Sequence, residues 1–79
     1  MLKIKDSIDL TELSKFGFVN DGDEWYFDFK PYVEHIDYSY LRISSIKEID
    51  TAYVDMEHVD AMIDKICDLI QAGLVEKER

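Results

Sequence analysis

Apolar and polar residues change rhythm several times along the chain, and each change marks an element. Leu2 and Ile4 alternate with Lys3 and Lys5, the period of a strand with a lysine-bearing wet side. The run Ile8-Asp9-Leu10-Thr11-Glu12-Leu13-Ser14-Lys15-Phe16-Gly17-Phe18 then predicts a short helix over 10–16. Asp9 is its N-cap, Glu12 completes a capping box, and Ile8 and Leu13 stand at the staple positions. Gly17 supplies the left-handed stop, and Phe18 follows where a hydrophobic contact belongs. Trp25, Phe27 and Phe29 next alternate with Tyr26, Asp28 and Lys30, a half-buried strand that Pro31 ends. Residues 31–37 show no readable period. Alternation resumes over 38–44, with Leu41 and Ile43 on one face and Tyr38, Tyr40 and Arg42 on the other. A hairpin over 45–48 leads into a strand over 49–55, where Ala52 and Val54 face in and Tyr53 faces out.

The last element is a long helix capped by Asp55. Val59, Met62, Ile63, Ile66, Leu69 and Ile70 fall in one broad apolar stripe at about 100° per residue. Glu57, Asp60, Asp64 and Asp68 fall in a narrower stripe away from it. Gly73 with Leu74 repeats the stop at Gly17 with Phe18, and residues 76–79 are expected to fray. The order β-α-β-β-β-α predicts an α+β fold, with a mostly antiparallel sheet of about four strands. The long helix packs on the Trp25/Phe27/Phe29 face, the one apolar surface wide enough to bury its stripe.

Length and charge narrow the picture further. With 79 residues there is one core and one domain, 1–79. A net charge of −9 repels nucleic acid and anionic membrane and favours a basic protein partner. No apolar run approaches the roughly 18 residues that span a bilayer, and the lysine-bearing start is unlike a signal peptide. Cys67 is the single cysteine, which fits a reducing, intracellular setting and hence the cytoplasm. It lies at the edge of the apolar stripe, where a cysteine serves as a small hydrophobe.

Candidate chemistry is sparse. The stretch Phe18-Val19-Asn20-Asp21-Gly22-Asp23-Glu24-Trp25 crowds carboxylates against aromatics. A calcium loop with Gly22 at its sixth position would need side-chain oxygen ligands from Gly17 and Val19, which have none. Asn20-Asp21-Gly22-Asp23 is instead turn chemistry. Glu34-His35-Ile36-Asp37 and Glu57-His58-Val59-Asp60 read as two metal half-sites, but neighbouring Glu and His point apart, so each set supplies about one ligand. No serine sits in a nucleophile elbow, and Gly17, Gly22 and Gly73 are too scattered for a phosphate loop. The expectation is therefore no enzyme, no cofactor and no metal.

Two surfaces remain. Tyr26, Tyr38, Tyr40 and Tyr53 share a sheet face with Arg42, residue types that dominate protein interfaces; the alternative is that the rings only pair across strands. Glu57, Asp60, Asp64 and Asp68 line the helix at about one turn's spacing, near enough to the repeat of backbone phosphates to mimic nucleic acid; the alternative is a solvated face.

The segments 9–18 and Asp68-Leu69-Ile70-Gln71-Ala72-Gly73-Leu74-Val75-Glu76-Lys77 resemble the two ends of small uncharacterised proteins of phages and prophages of Gram-positive bacteria. Those proteins open with a strand and a short helix closing on Gly-Phe, and end in a Gly-Leu-Val-Glu tail. The resemblance implies context: short acidic phage proteins are often inhibitors of host machinery, CRISPR nucleases and restriction enzymes included. The expected function is a non-enzymatic protein, monomer or weak homodimer, that binds and inhibits a basic host protein. Tyr26, Tyr40, Tyr53 and Arg42 would supply contact area, and Asp60, Asp64 and Asp68 charge. The rival readings are an accessory self-assembling domain that pairs through the tyrosine face, and a metal-dependent enzyme.

Overall fold

Asp9 caps the first helical segment as its sequence predicts. Its carboxylate accepts the Thr11 backbone N–H at 3.0 Å and the Thr11 hydroxyl at 2.9 Å. The capping box does not close, because the Glu12 carboxylate turns to Lys15 Nζ at 2.7 Å. The segment winds as a 3-10 helix, Leu10–Phe16, and buries Leu13 completely. It ends in a Schellman motif: Gly17 N–H donates to the Ser14 carbonyl and Phe18 N–H to the Leu13 carbonyl. The long helix ends identically, with Gly73 N–H on Ile70 and Leu74 N–H on Leu69. In both places the residue after the glycine is a buried apolar side chain.

The computed structural model describes residues 2–29 and 39–77. The expectations about Lys30, Pro31, Tyr38, the connection 31–37 and the Glu-His-x-Asp set at 34–37 lie outside them. In chain order the described elements are β1 (Leu2–Ile4), the 3-10 helix (Leu10–Phe16), β2 (Val19–Asp21) and β3 (Glu24–Asp28). Then come β4 (Tyr40–Ile43), β5 (Ile49–Asp50), a single 3-10 turn (Met56–His58), α1 (Val59–Gln71) and β6 (Val75–Lys77). The fold is α+β. An antiparallel sheet runs in the order β2-β3-β4-β5, and β1 pairs with β6 in a separate two-stranded sheet. A bridge from Lys3 to Glu48 ties the two sheets together, helped by Ile4 N–H on the Lys47 carbonyl at 2.8 Å.

The carboxylate-rich stretch is a β-hairpin. Asp21 pairs with Glu24, Gly22 and Asp23 make the turn, and Gly22 takes a φ of 64° at the first central position. Asn20 clamps it by donating to the carbonyls of Gly22 and Glu24, at 3.1 and 3.3 Å. The strand Val19–Asp21 was hidden within residues that also read as turn formers.

Three expectations about chain course are corrected. The strand expected over 49–55 is only Ile49–Asp50; the Asp50 carboxylate accepts the Ala52 N–H at 2.9 Å and turns the chain, leaving Ala52 exposed. Asp55 makes no side-chain cap, and a 3-10 turn precedes the α-helix. Val75–Lys77, expected to fray from residue 76, is a strand because it finds β1 as its partner.

The core collects Ile4, Leu13, Phe18, Leu41, Ile43, Ile49, Leu69 and Leu74, with Trp25, Phe27, Phe29, Met62 and Ile66 packed around it. Helix α1 lies against the aromatic face of the larger sheet, as its stripe predicts. Lys65 Nζ sits 4.3 Å over the Phe27 ring and donates to the Phe16 carbonyl at 3.0 Å, and His58 stacks on Phe29. The stripe is wider than the sheet covers, however. Leu69 is its one fully buried member, whereas Val59, Ile63 and Ile70 face solvent and Cys67 is exposed, not packed as a small hydrophobe.

Candidate functional site

The pleat sends alternate side chains of β3 and β4 to opposite sides of the sheet. Trp25, Phe27, Leu41 and Ile43 go inward; Glu24, Tyr26, Asp28, Tyr40 and Arg42 go outward. Register then sets neighbours: Tyr26 stands opposite Arg42, Asp28 opposite Tyr40, and Arg42 opposite Asp50. The outer face is a row of three rings. Tyr26 meets Tyr40 edge-on at 5.3 Å between centroids, and Tyr40 stacks on Tyr53 at 5.0 Å with 9° between planes. Tyr53 reaches this row from the loop after β5, held where its carbonyl accepts the Tyr40 N–H at 3.2 Å.

Arg42 binds the row to its surroundings. Its Nη1 lies 2.7 Å from Glu24 Oε2 and its Nη2 3.0 Å from Asp50 Oδ2, while the Tyr26 hydroxyl donates to Glu24 Oε1 at 3.0 Å. Both ends of the guanidinium are therefore occupied, and its buried Nε has no hydrogen-bond partner. Arg42 is thus tied to Glu24 and Asp50, and through Glu24 to the Tyr26 hydroxyl. Glu24 and Asp50, which complete this bridge, escaped the sequence reading. The signal for Glu24 was its place two residues before Tyr26 on the same strand face.

One hollow of about 400 Å³ is lined in part by the rings, and a second of about 400 Å³ lies beside the Arg42–Asp50 pair. Asp21, Tyr26, Asp28 and Tyr40 contribute to one, and Arg42, Glu48 and Asp50 to the other. Among the described residues of the row and both hollows, Arg42 is the single cation.

Burial pushes the Tyr26 hydroxyl above the ordinary tyrosine value, aided by its bond to Glu24. Burial does the same for Tyr40, aided by neighbouring Tyr53. The folded chain thus holds both protons more tightly than the unfolded chain. That contribution to stability is whole below pH 10.0 and is lost as the pH climbs above it toward the folded values. Unfolding midpoints are expected to fall as the pH is raised above 10.0, and to fall less in a Tyr26→Phe, Tyr40→Phe double variant. Tyrosinate absorbance followed alongside the melts checks this; equal slopes for the two proteins would refute the burial of these rings.

Asp60, Asp64 and Asp68 do not join this site. They lie exposed on α1, which packs on the opposite side of the sheet, so one docking surface cannot hold both sets. Asp55, Glu57 and His58 come together at the helix start, with one ligand atom from each within 4.8 Å of the others. They are the residues that could hold a divalent cation, although the positive pole of the helix opposes one. His58 is also engaged elsewhere: its Nδ1 lies 3.1 Å from Ser39 Oγ, and that oxygen accepts the Asp55 N–H at 3.0 Å. Ser39 is fully buried, so this Ser-His-carboxylate arrangement leaves no path for a substrate to the hydroxyl. It ties the start of β4 to the start of the helix.

Fold and site together define a small acidic α+β domain with an aromatic sheet face. Comparison of the chain with protein-family models, with curated proteins and with solved structures gave no match in any of the three. No described helix is long and apolar enough to cross a membrane.

Proposed function

We propose that the protein is a non-enzymatic binding protein that docks on a basic host protein through its tyrosine face and blocks it, in the manner of small acidic phage inhibitors of CRISPR nucleases or restriction enzymes. The observation that carries this reading is the row Tyr26–Tyr40–Tyr53, braced by the Glu24–Arg42–Asp50 bridge and bordered by the carboxylates of Asp21 and Asp28. Rings stacked in advance offer wide contact area with little ordering left to do on binding. Carboxylates around them steer a basic partner and penalise an acidic one. Asp60, Asp64 and Asp68, on the far side, add to the long-range field and not to this contact. The likeness of both chain ends to phage proteins supplies the setting.

Affinity capture from a bacterial lysate tests the proposal. A basic protein should be retained at low salt and released at high salt, where charge attraction is screened. Tyr53→Ala should weaken capture by about 2 kcal/mol or more, the loss typical of an interface hot spot. Tyr53 is half-exposed, so this variant should keep its fold. Retention of no partner at low salt, or capture indifferent to Tyr53→Ala, would defeat the reading. Sedimentation showing that two copies pair through the tyrosines would replace it with self-assembly.

A further inference from the structure

The outer part of the apolar stripe of helix α1 is only partly covered by the described residues. The inward side of the helix is marked by His58 on Ser39, Lys65 on Phe27, and buried Leu69. Around the helix from these, Val59, Ile63 and Ile70 are 36%, 48% and 47% exposed, and Met56, in the 3-10 turn that leads into α1, is 93% exposed. Half-buried Ile66 fills the gap between Ile63 and Ile70. The spacing alternates three and four residues, the seam by which one helix packs along another. Exposed Cys67 lies on its edge, about 40° around the axis from Ile63.

Beside the strip runs a line of one charge. Asp60 and Asp64 stand about 60° and 100° around the axis from Ile63, with Glu57 and Asp68 beyond them, and all four are exposed. The single cation of α1, Lys65, is turned inward onto Phe27 and the Phe16 carbonyl. The solvent side of the helix is thus half apolar and half acidic, with no positive charge of its own.

We propose that this strip is a docking seam for an amphipathic helix of a partner protein, one whose apolar ridge is flanked on one side by lysines or arginines. Charge complementarity selects that occupant. A second copy of this chain would bring its own carboxylates and another −9 of net charge to the same seam. The seam lies across the sheet from the tyrosine face, so it stands whether or not the tyrosines bind anything.

The test uses the full chain and three synthetic helical peptides of about 20 residues, long enough to span the seam at 1.5 Å per residue. The first carries leucines at heptad spacing with lysines along one flank; the second has glutamates for the lysines; the third scrambles the first. The first peptide alone should bind. It should shift the amide resonances of Met56, Val59, Ile63, Cys67 and Ile70, and slow alkylation of Cys67. Ile63→Ser, and independently Ile70→Ser, should weaken it about tenfold, the worth of one buried aliphatic side chain. Asp60→Asn with Asp64→Asn should weaken it several-fold and flatten its salt dependence. Absence of binding, equal binding of the scrambled peptide, or shifts confined to the tyrosine face would overturn the proposal. So would a dimer of the chain that Ile63→Ser dissociates, which would make a second copy the occupant.

Discussion

Leu69→Ala is expected to destabilise the protein by about 2–5 kcal/mol, the range for emptying a fully buried leucine site. Little else holds the helix down. Leu69 is the only fully buried side chain of α1 among the described residues, and its neighbours Met62 and Ile66 are half-buried. Its carbonyl also receives the Leu74 N–H in the closing Schellman motif. Beyond that motif the chain enters β6, which closes the second sheet, so a loosened helix loosens β1 as well. A domain of this size has a total stability near the low end of the usual range of about 5–15 kcal/mol. The melting midpoint should fall on the order of 10–30 °C, and the variant should be partly unfolded at physiological temperature. Ile63→Ala, on the exposed side of the same helix, should cost well under about 1 kcal/mol. Equal losses for the two, in thermal or urea melts, would mean that the helix is rotated from the orientation described.

Gly17→Ala should be the most damaging of the small surface changes, at about 2–5 kcal/mol. Two independent terms add. At φ 87° a side chain meets its own backbone, which costs roughly 1–2 kcal/mol. The new Cβ would also stand 3.0 Å from Phe27 Cε2 and 3.5 Å from Cδ2, and crowding a packed ring costs typically about 1–3 kcal/mol. Phe27 cannot easily retreat: Phe18 and Phe29 stand 5.5 and 5.2 Å from its ring centroid, and the Lys65 ammonium covers its face. Gly22→Ala provides the contrast, because Gly22 has a φ of 64° but no atom within 4 Å of the added Cβ. It should show the backbone term alone, and Gly22→Asn should recover most of it, since asparagine tolerates this conformation. If urea midpoints moved equally for Gly17→Ala and Gly22→Ala, the packing of Phe27 under the first helix would be wrong.

Both predictions concern the side of the sheet that faces the helix, and both leave the tyrosine row untouched. That separation is useful for the functional tests. A variant that loses partner capture while keeping its melting midpoint reports on a surface, whereas Leu69→Ala and Gly17→Ala report on the fold that presents it. In so small a chain the two outward surfaces are back to back, with one layer of core between them.

Features encoded within a few residues were legible. Asp9 as cap, Gly17 and Gly73 as stops, and the outward alternation of Tyr26, Tyr40 and Arg42 all follow from local geometry, since a cap spans one turn and a pleat repeats every two residues. Tyr53 reached its expected face by another route, through a turn and not a strand. What depended on distant partners was not legible. The β1–β6 pair joins residues from opposite ends of the chain, and the Arg42 bridge needs the register of three strands to bring Glu24 and Asp50 to one guanidinium.

By itself, the sequence determined the fold class, the helix punctuation and which side chains share a strand face, because each is decided by contacts between near neighbours. Tertiary structure alone decided that the tyrosines and the helix carboxylates lie on opposite sides, that Arg42 is already taken, and that half the helix stripe stays in water. The reason is geometric: a narrow sheet can cover only one side of a cylinder, and how the remaining surface is divided depends on where every other element has come to rest.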